Sequence, residues 1–170
     1  ELRRAEEAES SFNKAIALDP LNAGAYWNLV GCEKTVVGAE RLMDRCLEAD
    51  PHNDIARLTK AALRFYQGDR TDFDELLRSE LKAHPYVRSF AWVFKLPILP
   101  DLHFNRWCFF DAMIKESVIS RPFYEFGVWR GASFQFLIDA YRAGFGFDTF
   151  SGLPEDWQVG RGVEKRGSYS

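Results

Sequence analysis

The chain has 170 residues, of which 46% are hydrophobic and 28% are charged, and its net charge is −3. These proportions indicate a folded globular protein of one domain or two smaller segments and exclude a disordered chain. The weak acidic charge provides no basic field for a phosphate backbone, so we expect no nucleic-acid partner. No apolar run approaches the roughly 20 residues that cross a bilayer, and no basic and apolar leader opens the chain. We therefore expect a cytoplasmic protein with no membrane partner.

The cysteines and histidines suggest no metal chemistry. Cys32, Cys46 and Cys108 lack the close pairs typical of metal sites or disulfide frameworks, so we expect reduced thiols. The three histidines are equally scattered and indicate neither a metal ligand nor a catalytic base. The sequence starts at Glu1 and stops at Ser170 with no terminal element completed, so we expect it to be a fragment of a longer protein.

An internal repeat marks the first half of the chain. Residues 8–22 and 39–53 match at Ala, Glu, Asp, Pro and Asn when one copy is shifted by 31 positions. In each copy, small and apolar residues recur at helical spacing, and a proline then ends the helix. A third, looser copy ends at Pro85. The three predicted apolar stripes consist of Ala8, Phe12 and Ala15, of Ala39, Met43 and Cys46, and of Phe73, Leu77 and Leu81.

The segments 25–29 and 55–62 can supply the first helix of each pair. Along residues 1–85 the chain shows a pattern in which a small residue, a large apolar residue and another small residue are followed by Asp-Pro. This pattern resembles that of tetratricopeptide repeats. Val30 and Glu33 depart from the family, which prefers glycine and tyrosine at these positions, so the middle repeat is degenerate. The resemblance implies a stacked helical array whose concave face binds a protein partner. The alternative is a scaffold that supports the following domain or forms a dimer surface.

Residues 86–104 form a predicted connector, because helical periodicity breaks in an apolar stretch punctuated by prolines. The alternating aromatics Phe90, Trp92 and Phe94 also fit a strand or stacking on nucleic-acid bases, although too few Lys and Arg residues surround them for stacking. Core or interdomain packing is the interpretation that we favour. An amphipathic helix is predicted next, over 104–119, ending before an Arg-Pro pair.

The motif that carries chemistry lies in residues 123–133, whose sequence FYEFGVWRGAS runs from a short apolar strand through glycines into an apolar helix. Glycine lets the backbone approach a ligand, and the free N–H groups that open the helix attract negative charge. A second strand ends at Asp148, 17 residues after Gly131, which is close to the spacing of ribose-binding acids in dinucleotide folds. The alternative for Asp148 is a helix cap or turn residue. Burial of Glu125 requires a hydrogen-bonding partner, which favours a functional role over a surface-facing one.

The stretch FGFDTFSGLPEDW at 145–157, combined with EFGVWRG at 125–131, resembles the macrocin O-methyltransferase-like branch of the class I methyltransferases, a bacterial-type group. The resemblance covers residues 105–170 and implies S-adenosylmethionine as the cofactor. The residues to which it assigns the cofactor are Glu125, Gly127, Trp129, Arg130, Gly131, Asp148, Thr149 and Phe150. It implies that Glu125, Gly127 and Gly131 form the first cofactor motif and that Trp129 and Arg130 lie beside the methionine part. It further implies that Asp148 binds the ribose and that Thr149 and Phe150 flank the adenosine. The Trp-Arg pair has an alternative as simple side-chain packing.

We therefore expect an α + α/β protein in which tetratricopeptide-like helical repeats (1–85) and a connector precede a truncated Rossmann-like methyltransferase domain (105–170). Its two strands, near 123–128 and 144–148, run parallel, either directly adjacent through a right-handed crossover or separated by another strand. An open sheet edge is expected beside them.

The implied activity is O-methyl transfer to a small-molecule or sugar hydroxyl. The fragment itself is expected to be inactive and to bind the cofactor poorly, because the later strands would carry the catalytic base and, as in some relatives, ligands for magnesium. Residues 155–157 either border the substrate or are solvated. A nicotinamide-dependent dehydrogenase is disfavoured because its turn more often reads Gly-x-Gly-x-x-Gly. The alternative from another class is a non-enzymatic protein-interaction scaffold with a degenerate Rossmann-like domain.

Overall fold

The computed structural model of the chain describes residues 2–159 and 162–169. These residues are mostly helical and include two small sheets, in agreement with a mixed α and β protein. The chain divides between Phe109 and Phe110 into two compact units. None of the helices in the described ranges combines the length and apolar character that crossing a membrane would require.

The first unit begins as a series of short helices joined by tight turns. Asn22 and Asn53 follow the two Asp-Pro pairs, and each side chain accepts a hydrogen bond from the backbone three residues on, at 2.9 and 3.0 Å. Such caps satisfy N–H groups that the first helical turn leaves free. The repeat of 31 positions is therefore also a repeat of local structure. The helices up to residue 93 are α1 (Leu2–Leu18), α2 (Ala23–Leu29), α3 (Val36–Ala49), α4 (Asp54–Tyr66), α5 (Thr71–Arg78) and α6 (Pro85–Val93), with 3-10 turns at Val30–Cys32 and Glu80–Ala83.

The apolar stripe predicted for the second copy forms the centre of the first core. Ala39, Met43 and Cys46 lie on one face of α3 and are completely buried. They pack with Tyr26 of α2 and Ala56 of α4. Burying a side chain as large as methionine stabilises a fold by about 1.5–3 kcal/mol. This face of α3 therefore holds the neighbouring helices together.

The third copy departs from its predicted stripe. Phe73 and Leu76, three residues apart on α5, are only 2% and 8% exposed, whereas Leu77 is 40% exposed. Leu81 lies in the separate 3-10 turn that follows. The prediction is wrong for Leu77 because α5 turns Phe73 and Leu76 toward the core, and a spacing of three residues returns to one helical face as well as a spacing of four does.

A helix occupies the first part of the predicted connector. Pro85 is the first residue of α6, and the His84 side chain caps the helix by accepting a hydrogen bond from the backbone. Proline suits this position because the N–H that it lacks would have no partner there. The apolar residues recur at helical spacing and the stretch is helical, so the strand alternative is wrong. Those that pack into the second core, around Phe73, are Val87, Phe90, Ala91 and Phe94.

Helix α7 (Arg106–Glu116) lies within the range predicted for a helix. The Asn105 carboxamide oxygen accepts a hydrogen bond from the Cys108 N–H at 2.9 Å and begins the helix. No residue of α7 is fully buried. The helix itself is confirmed, whereas the expected amphipathic face contributes only partly buried residues.

The second unit contains a parallel pair of strands and an antiparallel hairpin. Strands β1 and β2 pair directly, with Phe123 opposite Gly144 and Phe126 opposite Phe147. Of the two arrangements that the sequence left open, the directly adjacent one is therefore observed. Each strand ends slightly before the predicted boundary. The elements that follow α7 are β1 (Phe123–Phe126), α8 (Ala132–Tyr141), β2 (Gly144–Phe147), β3 (Trp157–Val159) and β4 (Gly162–Glu164).

Alternate residues of β1 point to opposite faces of the strand pair, as the twofold period of a strand requires. Phe123 contacts Phe134 of α8, with ring centroids 5.0 Å apart. On the other face, Tyr124 stacks on Phe145, and both rings are more than half exposed. Glu125 has the same parity as Phe123 and therefore faces α8.

Candidate functional site

The turn between β1 and α8 depends on two glycines in the left-handed backbone region. Gly127 has a φ of +87° and Gly131 a φ of +73°, and both conformations strain a residue that carries a Cβ. The Gly127 N–H donates to the Phe147 carbonyl at 2.8 Å and extends the strand pairing. No atom lies within 4 Å of the place where a Cβ on Gly127 would stand. The turn therefore presents open backbone at the carboxyl ends of two parallel strands, where open α/β sheets bind ligands.

Trp129 lies in the middle of this turn in an unusual backbone conformation. Its φ is +47°, which is strained for a bulky residue, and its N–H donates to Asp148 Oδ2 at 2.7 Å. The Arg130 guanidinium lies over the indole ring, 4.6 Å from the ring centroid. The guanidinium thus packs on the indole ring, and the assignment of the pair to a cofactor stays a prediction. The Trp129 side chain nevertheless remains 43% exposed beside the turn.

Asp148 connects the end of β2 to the glycine turn. Its Oδ1 accepts a hydrogen bond from the Phe150 N–H at 2.8 Å, and its Oδ2 accepts the one from Trp129. These backbone hydrogen bonds, led by that of Phe150, lower the pKa of Asp148 below its ordinary value of 3.8, against an opposing effect of desolvation. Asp148 therefore acts as a turn residue, which is one of the alternatives that the sequence left open. Because a carboxylate oxygen has two lone pairs, both oxygens can still accept a hydrogen bond from a ligand.

Thr149 and Phe150 continue the loop directly after this carboxylate. Phe150 has a φ of +53° and a ring that is 66% exposed. The Thr149 hydroxyl accepts a hydrogen bond from the Ser151 N–H at 3.4 Å. The eight residues predicted for the cofactor thus lie in two segments, one from β1 to the start of α8 and one after β2, and Asp148 links these segments.

Glu125 has one satisfied and one unsatisfied carboxylate oxygen. The Ser133 hydroxyl donates to Oε1, whereas Oε2 is buried and has no hydrogen-bond partner. A buried acceptor without a partner costs on the order of 1–3 kcal/mol. The geometry is that of a side chain directed into the unit, and it fits a site in which a donor on a ligand completes the carboxylate.

A segment that the sequence analysis did not single out folds back onto the loop after β2. This segment consists of residues 165–169, which we call the tail. The Lys165 ammonium and the Arg166 N–H each donate a hydrogen bond to Asp156 at 2.8 Å. The Lys165 hydrogen bond, followed by that of Arg166, lowers the pKa of Asp156. Leu153 exchanges two backbone hydrogen bonds of 2.9 Å with residues 167–168. Asp156 is exposed, in agreement with the solvated alternative, and it also fastens the tail to the loop.

The tail brings Tyr169 to the glycine turn. Its ring meets the Trp129 ring edge to face, with centroids 5.4 Å apart and planes at 87°. A cavity of about 360 Å³ lies between the loop and the tail. The loop and the tail approach each other closely at Gly152 and Gly167, and these glycines are the features of the sequence that could have indicated the contact. Both have positive φ, and a Cβ on Gly152 would lie 2.3 Å from the Gly167 carbonyl oxygen.

The first unit has a groove of its own, with a volume of about 570 Å³. Arg57 and Lys60 of α4 line it together with Glu75 of α5 and Glu80, and Leu76 adds apolar surface. Asp72 also lines the groove, so charges of both signs are present there.

The chemistry that the second unit offers is hydrogen bonding and aromatic contact at the glycine turn. Asp148 provides an oriented carboxylate, Glu125 a half-satisfied one, and Trp129 and Phe150 exposed rings. Within residues 2–159 and 162–169, no group of three or more His, Cys, Asp or Glu side chains is arranged to hold a metal ion. None of the family models, curated proteins or solved structures compared with this chain matches it.

Proposed function

We propose that the protein is an S-adenosylmethionine-dependent methyltransferase that methylates a hydroxyl group of a small molecule or sugar. The observation that carries the proposal is the ionised, partly exposed carboxylate of Asp148, held at the glycine turn by the Trp129 N–H. Bound S-adenosylmethionine supplies an activated methyl group, so the task of the protein is mainly to bind and orient. The tetratricopeptide-like repeats over 1–85 and the Rossmann-like domain over 105–170 are part of the same proposal.

Asp148 would bind the ribose of the cofactor. A ribose presents two neighbouring hydroxyl donors, and an ionised carboxylate can accept from both at once. The two backbone hydrogen bonds already fix the orientation of Asp148, so little ordering is required when the ligand binds. The exposed ring of Phe150, two residues further on, is a suitable stacking surface for adenine.

Glu125 and the glycine turn would bind the methionine part. The open space over Gly127 admits a ligand close to the backbone. The unpaired Glu125 Oε2 is an acceptor that lacks a donor, and the amino group of the methionine part is a donor of the required kind. One feature of β1 and one feature of the turn that follows it therefore fit the same end of the cofactor.

The test is a calorimetric titration of S-adenosylmethionine and NADH, separately, into the full-length protein and into its Asp148→Ala variant. Asp139→Ala, which removes an exposed carboxylate from α8, is the matched control. Saturable binding of S-adenosylmethionine that weakens in Asp148→Ala but not in Asp139→Ala supports the proposal. Binding of NADH alone would favour a dehydrogenase instead.

The alternative is a protein-interaction scaffold without enzymatic activity. The groove lined by Arg57, Lys60 and Glu75 in the first unit is the feature that favours it. The same titration separates the two functions, because a scaffold binds neither cofactor. Absence of binding by both cofactors would therefore reject the enzyme and leave the scaffold as the better account.

A further inference from the structure

The cavity between the loop after β2 and the tail is a candidate binding site of its own. Its volume of about 360 Å³ lies at the lower end of the range for small-molecule sites. Thr149, Ser151 and Arg166 are the polar side chains that line it, and Leu153 and Pro154 add apolar surface. The lining therefore combines a few polar groups with apolar walls, as small-molecule sites do.

Hydrogen bonds between the loop and the tail hold the walls of this cavity in place. Leu153 exchanges two backbone hydrogen bonds of 2.9 Å with residues 167–168. A Cβ on Gly152 would collide with the Gly167 carbonyl group, so the two segments lie as close as their backbones allow. Paired backbone thus forms the cavity, and little ordering is required when a ligand enters it.

The polar side chains that line the cavity can all donate hydrogen bonds, and no acidic side chain lies among the described residues of its lining. In the described part of the chain, the Arg166 guanidinium forms neither an ion pair nor a hydrogen bond, since Asp156 pairs with the Lys165 ammonium instead. The Ser151 hydroxyl has no partner there either. The Thr149 hydroxyl accepts a hydrogen bond from the Ser151 N–H, which leaves its own proton available to donate.

We propose that this cavity binds an anionic group, the phosphate or the carboxylate of a small molecule. A guanidinium presents a planar fork of N–H donors that matches both groups, and hydroxyl donors add further hydrogen bonds. The charge of the Arg166 guanidinium is not balanced within the lining, and it selects an anion over a neutral ligand. Leu153 and Pro154 provide apolar contact for the remainder of the ligand. Binding of the anion goes beyond the proposed function and does not depend on it, although Thr149 is also assigned to the cofactor.

The test follows the amide resonances of Gly152 and Gly167 by NMR while inorganic phosphate, and separately acetate, is added to the full-length protein. Sodium chloride keeps the ionic strength constant, because screening would otherwise change with each addition of the anion. We expect saturable shifts at both glycines with at least one of the two anions. Arg166→Gln should weaken binding about ten-fold or more, because it removes the charge that strengthens these hydrogen bonds. Arg166→Lys should weaken binding less, since it keeps the charge but loses the planar fork.

Arg121→Gln is the matched control, because Arg121 is an exposed arginine of the same unit that does not line the cavity. A second variant, Ser151→Ala, removes a lining hydroxyl at an exposed position and should weaken binding about three- to ten-fold without disturbing the fold. Saturation by phosphate alone assigns the site to a phosphate group, and saturation by acetate alone assigns it to a carboxylate. Absence of saturable shifts with both anions, or equal weakening in Arg166→Gln and Arg121→Gln, would overturn the inference.

Discussion

Replacing Gly146 in β2 with alanine should disturb the candidate site, because the added Cβ would press on residues that support the glycine turn. A Cβ on Gly146 would lie 2.7 Å from Val128 Cγ2 and 3.2 Å from the Phe134 ring. The first distance is far inside the optimum of about 3.5–4.0 Å for two carbon atoms, and a β-branched valine has few rotamers into which it can retreat. Overpacking of this kind costs about 1–3 kcal/mol. Val128 belongs to the glycine turn and Phe134 to the first turns of α8, so the strain falls on the proposed cofactor site.

The assay for Gly146→Ala should report on the second unit alone, because global unfolding would combine both units. Hydrogen exchange in peptides covering residues 123–148 meets this need, and we expect exchange to become about 5- to 100-fold faster. Gly24→Ala is the matched control. The nearest atom to its added Cβ lies 3.5 Å away, and alanine in a helix is favoured over glycine by about 1 kcal/mol. Unchanged exchange over 123–148 in Gly146→Ala would refute the packing argument.

Two further predictions concern the core residues of the third helical copy and the loss of stability at low pH. Leu76→Ala should destabilise the first unit by about 2–5 kcal/mol, whereas Leu77→Ala should cost far less because that side chain is 40% exposed. Urea denaturation distinguishes them, and equal midpoints would show that the wrong face has been assigned to the core. Because the native pKa of Asp148 is lowered, its contribution to stability is complete above the ordinary value of 3.8 and is lost as the pH falls through the native value. The stability difference between the chain and Asp148→Asn should therefore shrink on acidification below pH 3.8, and an acid titration showing a constant difference would contradict this role.

The helical copies were predictable where their signals are local. Ala39, Met43 and Cys46 recur at the spacing of one helical face, and Asn53 follows an Asp-Pro pair as a helix cap commonly does. The same reasoning failed at Leu77, because spacings of three and of four residues both return to one helical face, and only packing selects Leu76 as the core partner of Phe73. The end of α5 at Arg78 then places Leu81 in a separate turn.

The stretch after Pro85 packs into a core, as expected, but its helix was missed for a different reason. Phe90, Trp92 and Phe94 alternate, which is typical of a strand, but Val87 and Ala91 complete a helical pattern with Phe90 and Phe94. A short segment can satisfy both periods at once. The choice was decided by packing against the second core, where Phe94 stacks on a ring of α4 at a centroid distance of 3.6 Å.

The glycine turn was visible in the sequence because its requirements are local. Gly127 and Gly131 take conformations that strain other residues, and they separate an apolar strand from an apolar helix. The partners of the turn were not visible in this way. Asp148 lies 19 residues from Trp129, and no sequence pattern states that its carboxylate accepts the Trp129 N–H.

The sequence by itself determined the helical repeat, the strand and turn around Gly127, and the residue types available for a cofactor, since all of these follow from spacing, caps and backbone preference. Only the tertiary structure decided which strands are adjacent, that Glu125 has an unpaired buried oxygen, and that Tyr169 reaches Trp129. These features depend on contacts between residues distant in the chain. Such contacts form because burial and hydrogen bonding across the whole unit offset the entropy of ordering it, and that balance is not encoded in any short segment.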